Sequence, residues 1–90
     1  MSVREKYQQA IWKLKEFLIT ADIKVKEAGK GVIDYEKVLG FMMMAENVTK
    51  RTAESYIEAL RLQDFLEVSE KFIEDDQIKT IILKHGNQVH

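Results

Sequence analysis

Residues 47–66 read Asn47-Val48-Thr49-Lys50-Arg51-Thr52-Ala53-Glu54-Ser55-Tyr56-Ile57-Glu58-Ala59-Leu60-Arg61-Leu62-Gln63-Asp64-Phe65-Leu66. The order of side-chain types in this stretch decides the fold. Val48, Ala53, Ile57 and Leu60 recur on one helical face with Tyr56 at its edge, and Lys50, Arg51, Glu54, Ser55, Glu58 and Arg61 fall on the others. Thr49 is a good N-cap, so the spacing predicts a helix from there to about Gln63. Phe65-Leu66-Glu67-Val68 then alternates as a strand does. A short capped helix with a polar outer face is the shape that enters a DNA major groove.

Upstream, Asp34 caps a predicted second helix over 35–45 whose inward face is Val38, Leu39, Met42 and Met43. Glu46-Asn47-Val48 is the turn between the two helices. Methionine adapts to irregular surfaces, yet helical geometry keeps Phe41, Met42, Met43 and Met44 from all facing inward. Met42 and Met43 are therefore assigned to the core, and Phe41 and Met44 to part-exposed positions or a subunit contact.

Residues 2–28 read as one long first helix. Ser2 and Glu5 form a capping box, and Val3, Tyr7, Ala10, Ile11, Leu14, Phe17, Leu18, Ala21 and Val25 follow at helical spacing. The subset Tyr7, Ile11, Leu14, Leu18, Ala21 and Val25 alternates four and three, which suits a coiled-coil seam as well as an amphipathic core helix. A fray or bend is expected around Thr20 to Ile23. Trp12 lies beside the stripe, suited to a dimer interface or an amphipathic surface position. The helix is longer than a three-helix core needs, so it is the expected dimerisation element, with Tyr7, Ile11, Trp12, Leu14 and Leu18 as its contacts. Gly29-Lys30-Gly31 is a turn and lacks the glycine pattern and preceding strand of a phosphate loop. Val32 and Ile33 suit a very short strand.

Downstream, Phe72-Ile73 and Ile78 to Leu83 are rich in β-branched and aromatic residues around a polar tip, Glu74-Asp75-Asp76-Gln77. They predict a two-stranded hairpin over 65–83. The competing reading caps a helix with Asp76 over 77–85 and closes it at Gly86. Residues 86–90 are expected to form a frayed tail.

Ninety residues make one domain. Hydrophobic residues at 46% and charged residues at 32% describe an ordered soluble chain. With no cysteine, disulfides, thiolate nucleophiles and Cys-ligated metals are excluded. No apolar run approaches the ~20 residues of a membrane span, and the N-terminus has no signal-peptide core, so a cytoplasmic location is expected. The net charge of −1 splits unevenly: residues 1–31 carry +3, residues 32–63 carry −1 and residues 64–90 carry −3. Overall charge thus gives nucleic acid no general attraction, and only a local basic patch would. His85 and His90 lie near the end, and no catalytic triad, carboxylate pair or metal-binding spacing can be assembled. No catalytic residue, cofactor, metal or small-molecule effector is expected.

The order helix, helix, turn, helix, hairpin resembles the winged helix-turn-helix superfamily over residues 32–83. Asn47-Val48-Thr49, Thr52-Ala53, Tyr56-Ile57, Leu60 and Phe65-Leu66 stand where that family commonly shows Gly-Val-Ser, Thr-Val, Tyr-Leu, Leu and Leu-Ile. Two departures stand out. Asn47 and Asp64 replace glycines, and both types tolerate left-handed or turn backbone. The long first helix is similar to that of small regulators encoded by archaea, their plasmids and viruses. The resemblance implies a mainly α fold with a small β-hairpin: a long N-terminal helix, a three-helix core with its helix-turn-helix over 34–63, and a two-stranded wing.

It further implies a dimeric double-stranded-DNA-binding transcriptional regulator whose third helix enters the major groove. Thr49, Lys50, Arg51 and Ser55 are then the reading residues, with Thr52 and Tyr56 nearby and Lys71 and Lys79 on the wing. Arg51 suits a guanine edge and Lys50 a phosphate. The acidic tip repels phosphate, which favours the alternative of a protein-interaction module without DNA contact.

Overall fold

The computed structural model of the chain describes residues 2–29 and 31–84. Lys30 of the glycine turn, Gly86, the expected tail and both histidines lie outside the described residues. Six elements follow in order: α1 (Val3–Ala28), β1 (Ile33–Asp34), α2 (Tyr35–Glu46), α3 (Lys50–Leu62), β2 (Leu66–Ile73) and β3 (Asp76–Leu83).

Each helix starts where a side chain replaces a missing backbone partner. Ser2 accepts from the Glu5 N–H, Asp34 from Glu36, and Thr49 from Thr52. α1 ends at Gly29 in the left-handed region, where its N–H donates to the Lys26 carbonyl. It is unbroken through Thr20 to Ile23, where a bend was expected. The Lys26–Asp22 pair at 2.9 Å bridges one turn of that stretch.

Residues 76–83 form a strand, which settles the strand-or-helix alternative. β2 and β3 pair antiparallel through a two-residue turn, Glu74-Asp75, in register from Leu66 against Leu83 to Ile73 against Asp76. The sheet has a third strand: β1 pairs β3 with Ile33 opposite Ile81 and Asp34 opposite Thr80, giving the order β1-β3-β2. The predicted hairpin over 65–83 is thus present, and the short strand expected at Val32 and Ile33 forms over Ile33–Asp34 and pairs with its second strand. A two-residue strand carries almost no periodic signal, and Asp34 both closes it and caps α2.

One core joins the elements. Leu14 and Leu18 of α1, Leu39 and Met42 of α2, Ile57 and Leu60 of α3 and Leu66 of β2 are fully buried. Each such side chain contributes roughly 1.5–3 kcal/mol of burial. Thr80 is also fully buried, and its hydroxyl donates to the Ser69 carbonyl at 3.1 Å, so no polar cost is left standing. Met43 only packs against the core, while Met44 stays 86% exposed. Phe41 stacks on Phe17 with ring centroids 4.0 Å apart, tying α2 to α1 beside the Lys13–Glu46 ion pair at 3.2 Å.

Candidate nucleic-acid interface

The turn before α3 is built by Asn47, whose φ of 53° and ψ of 52° are left-handed. Val48 donates back to the Met43 carbonyl at 3.2 Å and tucks half-buried under the turn. This places Thr49 at the start of α3, where its hydroxyl oxygen accepts from the Thr52 N–H at 3.3 Å and lies 3.1 Å from the Thr52 hydroxyl. Ala53, Tyr56, Ile57 and Leu60 face the core. Lys50, Arg51, Glu54, Ser55, Glu58 and Arg61 are exposed.

Charge is divided along that exposed face. At its start, Lys50 reaches Glu36 only at 3.9 Å, and no described residue pairs with Arg51. A cation without a fixed partner, at the positive end of a helix, is available to an anion. Ser55 donates to the Thr52 carbonyl at 2.6 Å within its own helix, which leaves its oxygen able to accept. Further along, Glu58 receives the Arg61 guanidinium at 2.9 Å. That hydrogen bond holds the Glu58 carboxyl below its ordinary range and pushes Arg61 up.

Tyr35 joins the start of α2 to the sheet. Burial raises its phenol pKa first, and the carboxylates Glu54, Glu36 and Glu58 raise it further. The Lys79 ammonium stands 4.6 Å from the Tyr35 ring centroid, a cation–π contact that anchors β3 beside the start of α2. Lys79 thus lies beside the start of α2, whose next residue, Glu36, reaches Lys50 of α3.

Thr49, Lys50, Arg51, Thr52 and Ser55 lie together at the start of α3, and Lys79 stands over Tyr35 at the neighbouring start of α2. Two other expected contacts do not join them. Tyr56 is buried, its ring 5.6 Å from that of Tyr7, and burial, Glu46 and Tyr7 push its phenol pKa up. It is a packing residue between α1 and α3, because its position at the edge of the apolar face turns it inward. Lys71 pairs in register with Ile78 whereas Glu70 pairs with Lys79, so the two lysines point to opposite faces of the sheet. Lys71 lines a shallow depression with Asp22, Thr80 and Ile82 instead.

Phe72 was missed. It is 76% exposed and shares the Lys79 face, since Glu70 and Gln77 on that face hydrogen-bond and Gln77 pairs with Phe72. The available signal was an aromatic two residues before a tight turn, beyond the reach of the core. The residues expected as dimer contacts are placed differently. Ile11, Leu14 and Leu18 are buried in the core of the chain, Tyr7 packs on Tyr56 while keeping 40% of its surface open, and Trp12 is the most exposed of the five at 62%.

Among the described residues, no group of three His, Asp or Glu side chains is placed to hold a metal ion, and no helix is long and apolar enough to cross a membrane. Comparison with protein-family models, curated proteins and solved structures gives no match.

Proposed function

We propose that this chain is a winged helix-turn-helix protein that binds double-stranded DNA, with α3 as the reading helix and the β2–β3 hairpin as the wing. The observation that carries the reading is the exposed, Thr49-capped first turn of α3, where Lys50, held only by Glu36 at 3.9 Å, stands beside Arg51, which pairs with no described residue. The sheet order β1-β3-β2, with the hairpin following α3 directly, supports the winged assignment. As a cytoplasmic transcriptional regulator it would act by occupancy, without catalysis. A two-fold pair would set two reading helices in successive major grooves roughly 34 Å apart.

Charge fixes how the helix lies. Glu54 and Glu58 would face phosphate if α3 lay flat along the groove. Entry by the N-terminal end brings Lys50 and Arg51 to the bases first and keeps Glu58, one turn beyond Glu54, back from the duplex. The acidic turn Glu74-Asp75-Asp76 stays clear of the backbone in the same pose, which leaves Lys79 as the wing's cation toward the duplex.

Duplex binding measured across a salt series tests this. Replacing Lys50 and Arg51 together by Ala should weaken binding strongly and flatten the salt dependence, with the circular dichroism unchanged. Arg51→Ala alone should cost on the order of 1–3 kcal/mol and relax sequence preference. Salt-independent binding, or a folded double variant with wild-type affinity, would overturn the reading in favour of a protein-interaction module. The acidic tip and the Glu54–Glu58 side of α3 are the surfaces that favour that second reading.

A further inference from the structure

α1 is apolar on two opposite sides, and the core occupies only one of them. At 3.6 residues per turn, Trp12, Ile19 and Ile23 project on the side facing away from Leu14. All three are large and open to solvent, at 62%, 41% and 52%. They form a straight stripe about 16 Å long at 1.5 Å per residue. A helix that needed only to cover the core would carry polar side chains there.

We infer that a second copy of this chain covers the stripe, with the two α1 helices antiparallel across a two-fold axis that passes midway between Trp12 and Ile19. The spacing of the residues points to that occupant. Antiparallel pairing about this point sets Trp12 against Ile19 of the partner subunit, and symmetry makes the contact twice. Glu5 and Lys26 stand equally far from the same point on opposite sides, so each Glu5 meets a Lys26 of the partner, again twice. Both are exposed: Glu5 touches only the Ser2 cap, and Lys26 holds Asp22 from a side chain that is 56% open. Parallel pairing would set each of these charges against its own kind. Ile23 falls opposite Gln8 of the partner, whose methylenes can cover it.

One residue opposes the pairing. Lys15 and Glu16 lie equally near the axis; Lys15 is turned to the Phe65 ring, whereas Glu16, on the same outward side as Trp12, faces its own copy. Like charges held close are destabilising, so the contact should be weaker than its apolar area alone would make it. Lys13, one turn earlier on the same flank, offsets this only in part because it already holds Glu46 at 3.2 Å. The pairing uses no property of α3, so its test and the DNA test fail separately.

Sedimentation velocity over a concentration series, with a thermal melt of each variant, decides it. Wild type should show a reversible monomer–dimer equilibrium. Trp12→Ala with Ile19→Ala should raise the dissociation constant by roughly tenfold or more and leave the monomer's fold intact, since neither side chain supports the core. Glu16→Leu should tighten the dimer. Glu5→Lys and Lys26→Glu should each loosen it, and the two together should restore it, which a parallel pair would not do. A wild type that stays monomeric at high micromolar concentration overturns the inference. So does a Trp12/Ile19 variant that still dimerises, a Glu16→Leu variant that does not tighten, or a charge reversal that fails to rescue.

Discussion

The hairpin turn carries strain that two substitutions should release. Glu74 and Asp75 have φ values of 51° and 69°, so a two-residue connection is held in the left-handed region at both positions. This is the hairpin geometry for which Asn-Gly is the preferred sequence. A side chain with a Cβ costs roughly 1–2 kcal/mol in that region, less for Asp than for Glu. Changing Glu74→Asn and Asp75→Gly removes most of the cost, and the added freedom of glycine in the unfolded chain returns about 0.5–1 kcal/mol of it. The net gain is on the order of 1 kcal/mol, or about 4–8 °C in melting temperature for a domain of this size. Thermal melts should show the rise, and hydrogen exchange should slow at Phe72, Ile73 and Gln77, which flank the turn. The same variant deletes two charges from the tip, so duplex affinity at low salt should hold or increase. A melting temperature that stays put or falls, with the fold retained, would refute the strain argument. A marked loss of DNA affinity would mean that the tip docks on the duplex.

Two further outcomes follow from the core. Leu14→Ala removes a fully buried side chain from the centre of the molecule and should cost about 2–5 kcal/mol, lowering the melting temperature by roughly 10 °C or more; Trp12→Ala, only two residues away but outward, should change monomer stability by less than about 0.5 kcal/mol. Tyr35 and Tyr56 have phenol pKa values raised above the ordinary 10.0, chiefly by burial. The stability they lend is complete below that unfolded value and lost as pH rises through the folded one. Melts above about pH 10 should therefore fall more steeply for wild type than for the Tyr35→Phe/Tyr56→Phe variant, and equal slopes would refute the assignment.

Local chemistry carried the helix ends into the sequence. Ser2, Asp34 and Thr49 each cap within their own neighbourhood, and Asn47 accepts a backbone that few other residues tolerate, so these boundaries could be read from residue type alone. β1 was legible as a short strand at Val32 and Ile33, but its partner was not. Two residues have no period, and Ile33 becomes a strand only because Ile81, far along the chain, offers it an open edge. The fate of residues 77–85 had the same origin. Ile78, Ile81 and Ile82 suit a helical face nearly as well as a strand, and pairing with β2 decides between them.

The surfaces were harder to read because a side chain's periodicity says which residues share a face and not how many faces are covered. Tyr7, Ile11, Leu14 and Leu18 gave one stripe, and that stripe was assigned to both the core and a partner. The fold separates the two uses. Leu14 and Leu18 are spent on α2, α3 and the sheet, while Trp12, Ile19 and Ile23, which a single-stripe reading scatters as exceptions, line up on the far side. The lysines beside the hairpin tip were hard to read for a related reason. Lys71 and Lys79 look equivalent as charges flanking an acidic tip, yet strand alternation sends them to opposite faces, and only Lys79 is fixed beside the start of α2 by the Tyr35 ring. A cation held by an aromatic ring keeps its charge and its donors, so Lys79 can serve the packing of β3 and an anion beside the start of α2 together. Lys71 has no such post and should be replaceable without effect on duplex affinity, whereas Lys79→Ala should both lower stability slightly and reduce binding.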